Sequence, residues 1–298
     1  MDWLIEPFML GFQQRALIGG LITGLMTSVV GVWLVLRGMT FFGDAFVHAV
    51  IPGIAAAVIF DFSPYIGAAI AAVVMVAGIE LVHRTTALGE DTGIGLLFVG
   101  MLALGVVIIS KSDSYTGSLT AILFGDALGV SGDDIIALIV FAIVVIAGSL
   151  ALYRPLLALS FSPQKAQALG MRPRLAHALL LALIAVAIIG AFQTVGTMLA
   201  FGLLVGPPAT AALLSRSVSQ MFVWSAGISA VSVWLGLLLS YHLGTAASAS
   251  MALVPVILFF VVLTIKHTIT VRRQRMGVPE VPERTTAAAL LDPLGGAR

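Results

Sequence analysis

Asp44 and His48 stand four residues apart in Gly43-Asp-Ala-Phe-Val-His-Ala-Val-Ile-Pro-Gly53. On a helix this spacing puts both side chains on one face. A carboxylate oxygen and an imidazole nitrogen together suit a borderline divalent cation such as zinc or manganese. Neither ligand is reducible, which fits an ion that only passes through. Two ligands leave a site open. A second copy of the chain, related by a two-fold axis, would bring the same pair and make four. The pair reads equally as an internal Asp–His hydrogen bond that steadies its helix.

Other polar residues read more simply. Glu80 and Arg84, one turn apart at a helix end, read as a surface ion pair. Asp126 reads as solvated in the outer loop, His242 as an interfacial histidine or a ligand at the outer mouth, and His83, His177 and His267 as interfacial. Pro207-Pro208, within Leu203-Leu-Val-Gly-Pro-Pro-Ala-Thr-Ala211, predicts a break or kink in an apolar helix. Broken helices line translocation paths when their freed carbonyls need a cavity, so the two prolines mark a gate or a packing kink.

The elements that carry these residues follow from composition. Of 298 residues 60% are apolar and 10% charged, against about 25% charged in a soluble domain. Too little polar surface exists to cover a soluble globule, so a soluble enzyme, a disordered chain and a nucleic-acid binder are excluded. The expectation is an all-α polytopic protein surrounded by lipid. Nine apolar segments serve as spans: 16–36, 41–60, 64–82, 93–110, 134–153, 175–193, 197–214, 220–243 and 251–270. Residues 1–15 read as an interfacial segment without the features of a signal peptide. Residues 16–270 form the membrane domain, and 271–298 a disordered tail. Gln193 to Gly196 is short enough to demand a close hairpin or a discontinuous helix.

Basic residues orient the bundle. A cytoplasmic C-terminus and an outer N-terminus place Arg37, Arg84, Arg154, Lys165, Arg172, Arg174, Arg216, Lys266, Arg272, Arg273, Arg275, Arg284 and Arg298 inside. Only Arg15 and Lys111 fall outside. The outer stretch Lys111 to Asp133 holds a semi-apolar piece, Leu119 to Gly129, that reads as a re-entrant helix or a surface loop. The inner stretch Arg154 to Arg174 holds a short capped helix. Ser162 suits the N-cap, Pro163 the first turn, and Gly170 a left-handed stop. The segment Ser162, Pro163, Gln164, Lys165, Ala166, Gln167, Ala168, Leu169 and Gly170 reads as a docking element for a cytoplasmic partner or as an ordinary loop helix. No lysine follows a glycine, so no P-loop is present. Without a zinc-protease or nucleophile-elbow motif, an intrinsic enzyme is disfavoured.

The chain resembles the permease subunit of bacterial ABC-type importers for zinc, manganese or iron, over roughly residues 10–265. Four segments carry the likeness: Gly43 to Gly53, Glu90-Asp-Thr-Gly-Ile-Gly95, Ser160 to Gly170, and Leu203 to Ala211. The resemblance implies a homodimeric pore in the inner (cytoplasmic) membrane, working by alternating access. It implies two copies of an ATP-binding cassette ATPase and an extracytoplasmic metal-binding protein. It implies Asp44 and His48 as ion contacts, residues 162–170 as the ATPase-coupling helix, and no permanently bound cofactor. The chain departs from the family pattern at Ser162 and Gln164, where an acidic residue is common, at Gly206-Pro207-Pro208, and after Tyr241-His242. An ion-coupled secondary transporter acting without an ATPase is the alternative.

Overall fold

The structure, a computed structural model, describes residues 6–85, 90–110, 125, 127–161, 167, 171–192 and 196–275. After a 3-10 turn at Glu6–Met9 come α1 (Gly11–Leu36), α2 (Thr40–Ala49), α3 (Ile51–Ile59), α4 (Pro64–Thr85) and α5 (Glu90–Ser110). Then follow α6 (Gly132–Ala151), α7 (Tyr153–Phe161), α8 (Pro173–Ala191), α9 (Thr197–Leu214), α10 (Val218–Leu243) and α11 (Ala247–Arg275). Among the described residues every regular element is helical, and eight stretches are long and apolar enough to cross a membrane. The ninth expected span is the helix α9, whose described apolar part, Ala200–Leu214, is shorter than a full crossing.

Three details differ from the sequence reading. The first membrane helix begins at Gly11 rather than residue 16. The second span is two helices, α2 and α3, joined at Val50 with Pro52 in the first turn of α3. Proline cannot donate into the preceding turn and biases the residue before it, so the axis is interrupted there although hydropathy is continuous. The helix α7 occupies part of the stretch read as a loop, with Pro155 tolerated in its first turn. The expected coupling segment, 162–170, lies outside the described residues except for Gln167. So do residues 1–5, the piece 119–124, Asp126, the turn 193–195, the tail beyond 275, and the side chains of His83, Arg84, Glu90 and Asp91.

Helix α1 is the axis of the bundle. It packs against α6, α8, α9 and α10, while α4, α5, α6 and α11 keep much of their apolar surface outward. The main core joins Met26, Trp33 and Leu34 of α1 to Phe42 and Phe46 of α2, Met75 of α4, Leu156 of α7, and Leu180 and Ile184 of α8. Hydrocarbon tails are as apolar as leucine, so close packing and interhelical hydrogen bonds hold such a bundle. The α3–α4 contact shows the first. Gly53 and Gly67 face each other, and a Cβ on either would overlap the other's carbonyl oxygen. We expect Gly53→Ala to cost about 1–3 kcal/mol, because backbone must yield to the added methyl. Gly100→Ala, in open space, should be neutral or slightly stabilising. Thermal unfolding in detergent compares the two.

One end of the bundle gathers Arg37, Tyr153, His177, Leu213, Ser219 and Lys266. Arg37 donates to His177 Nδ1 at 2.8 Å, since a guanidinium has no acceptor. The Tyr153 and Ser219 hydroxyls meet at 3.5 Å, and Lys266 Nζ donates to the Leu213 carbonyl at 2.9 Å. This is the end at which the sequence concentrates basic residues. A cavity of about 160 Å³ opens there between Arg37, Ile79, Glu80, Leu159, Pro173, Arg174 and His177. His177, read from sequence as merely interfacial, is thus a structural partner of Arg37.

Candidate metal site on α2

The turn before α2 sets the site's position. Gly38 takes φ +67, a conformation that L side chains rarely adopt, and its N–H and that of Met39 close back on Val35 and Leu34 at 3.1 and 3.0 Å. The chain reverses and starts α2 at Thr40. Phe42, Ala45, Phe46 and Ala49 turn inward and are buried. Phe41, Asp44 and His48 lie on the opposite stripe, at the i, i+3, i+7 spacing of one helix face.

Asp44 and His48 come together as their spacing predicts. Asp44 Oδ1 and His48 Nε2 are 3.7 Å apart, with the side chains 36% and 18% exposed. That separation exceeds a hydrogen bond, so the steadying Asp–His bond is not made. Metal–nitrogen and metal–oxygen bonds of about 2.0–2.2 Å would span it through a single bent ion. The other ring nitrogen, His48 Nδ1, is enclosed and has no hydrogen-bond partner. The ring of Phe98 on α5 meets the imidazole edge-to-face at 5.5 Å, and Phe41 meets Phe98 at 6.3 Å. Phe98 carries no motif, and only the packing of α5 on α2 reveals it. Among the described residues no group of three or more His, Asp or Glu converges, so α2 brings together two potential ligands and no third.

Pro207 and Pro208 do not break their helix, which was one of the two outcomes expected of them. Helix α9 runs through both without interruption. They leave the carbonyls of Leu203 and Leu204 without their helical N–H partners. The Leu204 carbonyl lies against Gly31 of α1, where a Cβ would overlap it, and Pro208 Cγ is 2.7 Å from that same position. A bare Cα thus lets α1 close on the disrupted turn. The fully buried Leu204 side chain reaches on to Gly43, its Cδ2 2.9 Å from where a Cβ would stand. Leu204 therefore touches both the axial helix and the residue next to Asp44.

Comparison with known proteins decides the family. A family model described as the ABC 3 transport family matches residues 9–266. The chain belongs to that family. It is 38% identical over 251 residues to the manganese transport system membrane protein MntC of Listeria innocua, covering 84% of this chain and 89% of that protein. It is 33% identical to a probable iron transport system membrane protein of Haemophilus influenzae, covering 88% and 96%. The solved structure of PsaBC from Streptococcus pneumoniae in complex with Fab superposes with a TM-score of 0.79 at 31% identity, over 88% of this chain and 94% of that one. The ABC 3 chain described here is therefore a multi-pass, all-helical membrane permease, as its composition requires.

Proposed function

We propose that this ABC 3 permease imports a divalent transition-metal ion, manganese foremost, with iron and zinc as competing cargoes, across the cytoplasmic membrane. One observation carries the reading. Asp44 and His48 lie on a stripe of α2 that this chain leaves partly exposed. An ionisable residue at membrane depth costs at least about 2.5 kcal/mol if it meets lipid, and such residues face a cavity or a protein partner instead. A second copy of the chain, facing the first across this stripe, would enclose the pair and double two ligands to four. The family membership and the manganese and iron names of the relatives support the same cargo.

The energy source lies in other chains. Two ATPase subunits would dock on residues 162–170 at the basic end, and an extracytoplasmic binding protein would deliver the ion. Nucleotide-driven closure would pass through α7 and α8 into the bundle, and alternating access would expose the Asp44–His48 site to each side in turn. Pro207 and Pro208 would serve as a compliant point in α9, since Leu204 ties that helix to Gly43. A transit site must hold the ion well enough to accept it and weakly enough to let it go.

The test is uptake of manganese, zinc and iron into vesicles that hold the permease with its ATPase and binding protein. ATP-dependent accumulation of one metal is expected. Accumulation driven by a proton gradient without the ATPase would replace this reading with a secondary transporter.

A further inference from the structure

The surroundings of His48 assign a role to a residue that no motif marks. His48 turns Nε2 toward Asp44, 3.7 Å away, and buries Nδ1. Nδ1 is covered by this chain itself, so neither solvent nor a second copy can approach it. A neutral imidazole that binds an ion through Nε2 carries its proton on Nδ1. Metal-binding histidines almost always donate that proton to a carboxylate, a carbonyl or water, which fixes the ring and strengthens the ligand. Among the described residues His48 has no such acceptor. What meets its ring is Phe98, edge-to-face at 5.5 Å and 62°, backed by Phe41 at 6.3 Å.

We propose that Phe98 is the positioning residue of the α2 ion site: aromatic packing, in place of a hydrogen-bonded acceptor, holds His48 with Nε2 toward the ion. This rests on Asp44 and His48 being the ion contacts. It also explains how the site stays weak. Without an acceptor for Nδ1–H the imidazole is a weaker ligand, and an ion bound by it leaves more readily. The orientation nevertheless survives, because α5 supplies a ring that only an aromatic residue can replace.

The experiment uses the full-length permease, assembled with its ATPase in lipid nanodiscs, with histidine labelled with nitrogen-15. Zinc is the diamagnetic probe. The chain has five histidines, so the His48 signals follow from subtraction of the His48→Ala spectrum. Wild type should show a single zinc-ligated Nε2 and a protonated Nδ1. Phe98→Leu, which keeps an apolar side chain of moderate size, should show a mixture of ring states at His48. Manganese binding, followed by electron paramagnetic resonance, should weaken about 10-fold, the lower range for loss of an outer partner. Phe98→Tyr should restore both signals, which a merely space-filling role would not require of an aromatic ring in particular. A wild-type His48 spectrum in Phe98→Leu, or a Phe98→Tyr as defective as Phe98→Leu, overturns the proposal. The Asp44→Ala and His48→Ala arms separate the two levels. Unchanged zinc and manganese binding in both removes the ion site itself. Lost binding in both, with Phe98→Leu normal, removes only the role of Phe98.

Discussion

Asp44→Ala and His48→Ala should each reduce metal uptake by at least about 100-fold, while Asp44→Ala should leave the assembled complex no less stable to heat. The loss follows from ligand count. Each copy contributes two groups, so one substitution removes half of a symmetric four-ligand site. Disturbing even an outer partner of a metal ligand costs about 10–100-fold in affinity or activity. The stability expectation has the opposite sign. Asp44 is 36% exposed, and among the described residues its ion-pair partner His48 stands 3.7 Å away. Removing it relieves a charge that costs at least about 2.5 kcal/mol at membrane depth. Residues kept at the expense of stability are those that function needs. Uptake by vesicles and thermal aggregation of the same preparations give the two readouts. Asp44→Asn adds a control, since it keeps the shape and loses the charge. Normal uptake in all three variants would return the pair to helix packing.

The Asp44–His48 geometry was legible because its signal is local. Four residues of helix set the Asp44–His48 geometry, and no tertiary information is needed to place both on one face. The spans were legible for the same reason, since a hydrocarbon layer demands long apolar runs. What remained hidden is one local interruption and several contacts with partners distant in sequence. Val50 and Pro52 interrupt the second span inside a run of unbroken hydropathy, so a composition window reads through them. Helix α7 carries Arg154 and Pro155, which look like a loop until Leu156 and Leu159 are seen buried. Pro207 and Pro208 promise a break or a kink when read alone. Helix α9 continues through them, and Gly31, from a helix far earlier in the chain, lets α1 close against the freed Leu204 carbonyl. Phe98 acquires meaning only when α5 is laid beside α2.

Trp33→Ala should lower stability by about 3–5 kcal/mol, the range for removing a large aromatic from a packed interior. Trp33 is fully buried in the axial helix. Its indole N–H donates to Ser149 Oγ of α6 at 2.7 Å. Tyr153, the first residue of α7, and Phe222 of α10 meet its ring edge-on at 5.6 and 5.4 Å. One side chain thus fastens α6, α7 and α10 to α1. Lipid cannot fill the resulting gap as water would refill a surface pocket, because the void is interior and its lining loses contacts outright. Trp33→Phe keeps a ring against Tyr153 and Phe222 but leaves Ser149 without its donor. Interhelical hydrogen bonds in membranes average about 0.6 kcal/mol, so that variant should lose far less. The functional consequence follows from chain order. Helix α7 runs directly into residues 162–170, and Trp33 packs against its first residue. If ATPase motion enters through that segment, loosening Tyr153 should let ATP be hydrolysed with fewer ions moved per cycle. The ions moved per ATP should therefore fall in Trp33→Ala and stay near wild type in Trp33→Phe, measured at a temperature where both remain folded. Equal ratios in all three proteins would show that α7 does not need the Trp33 anchor to transmit the stroke.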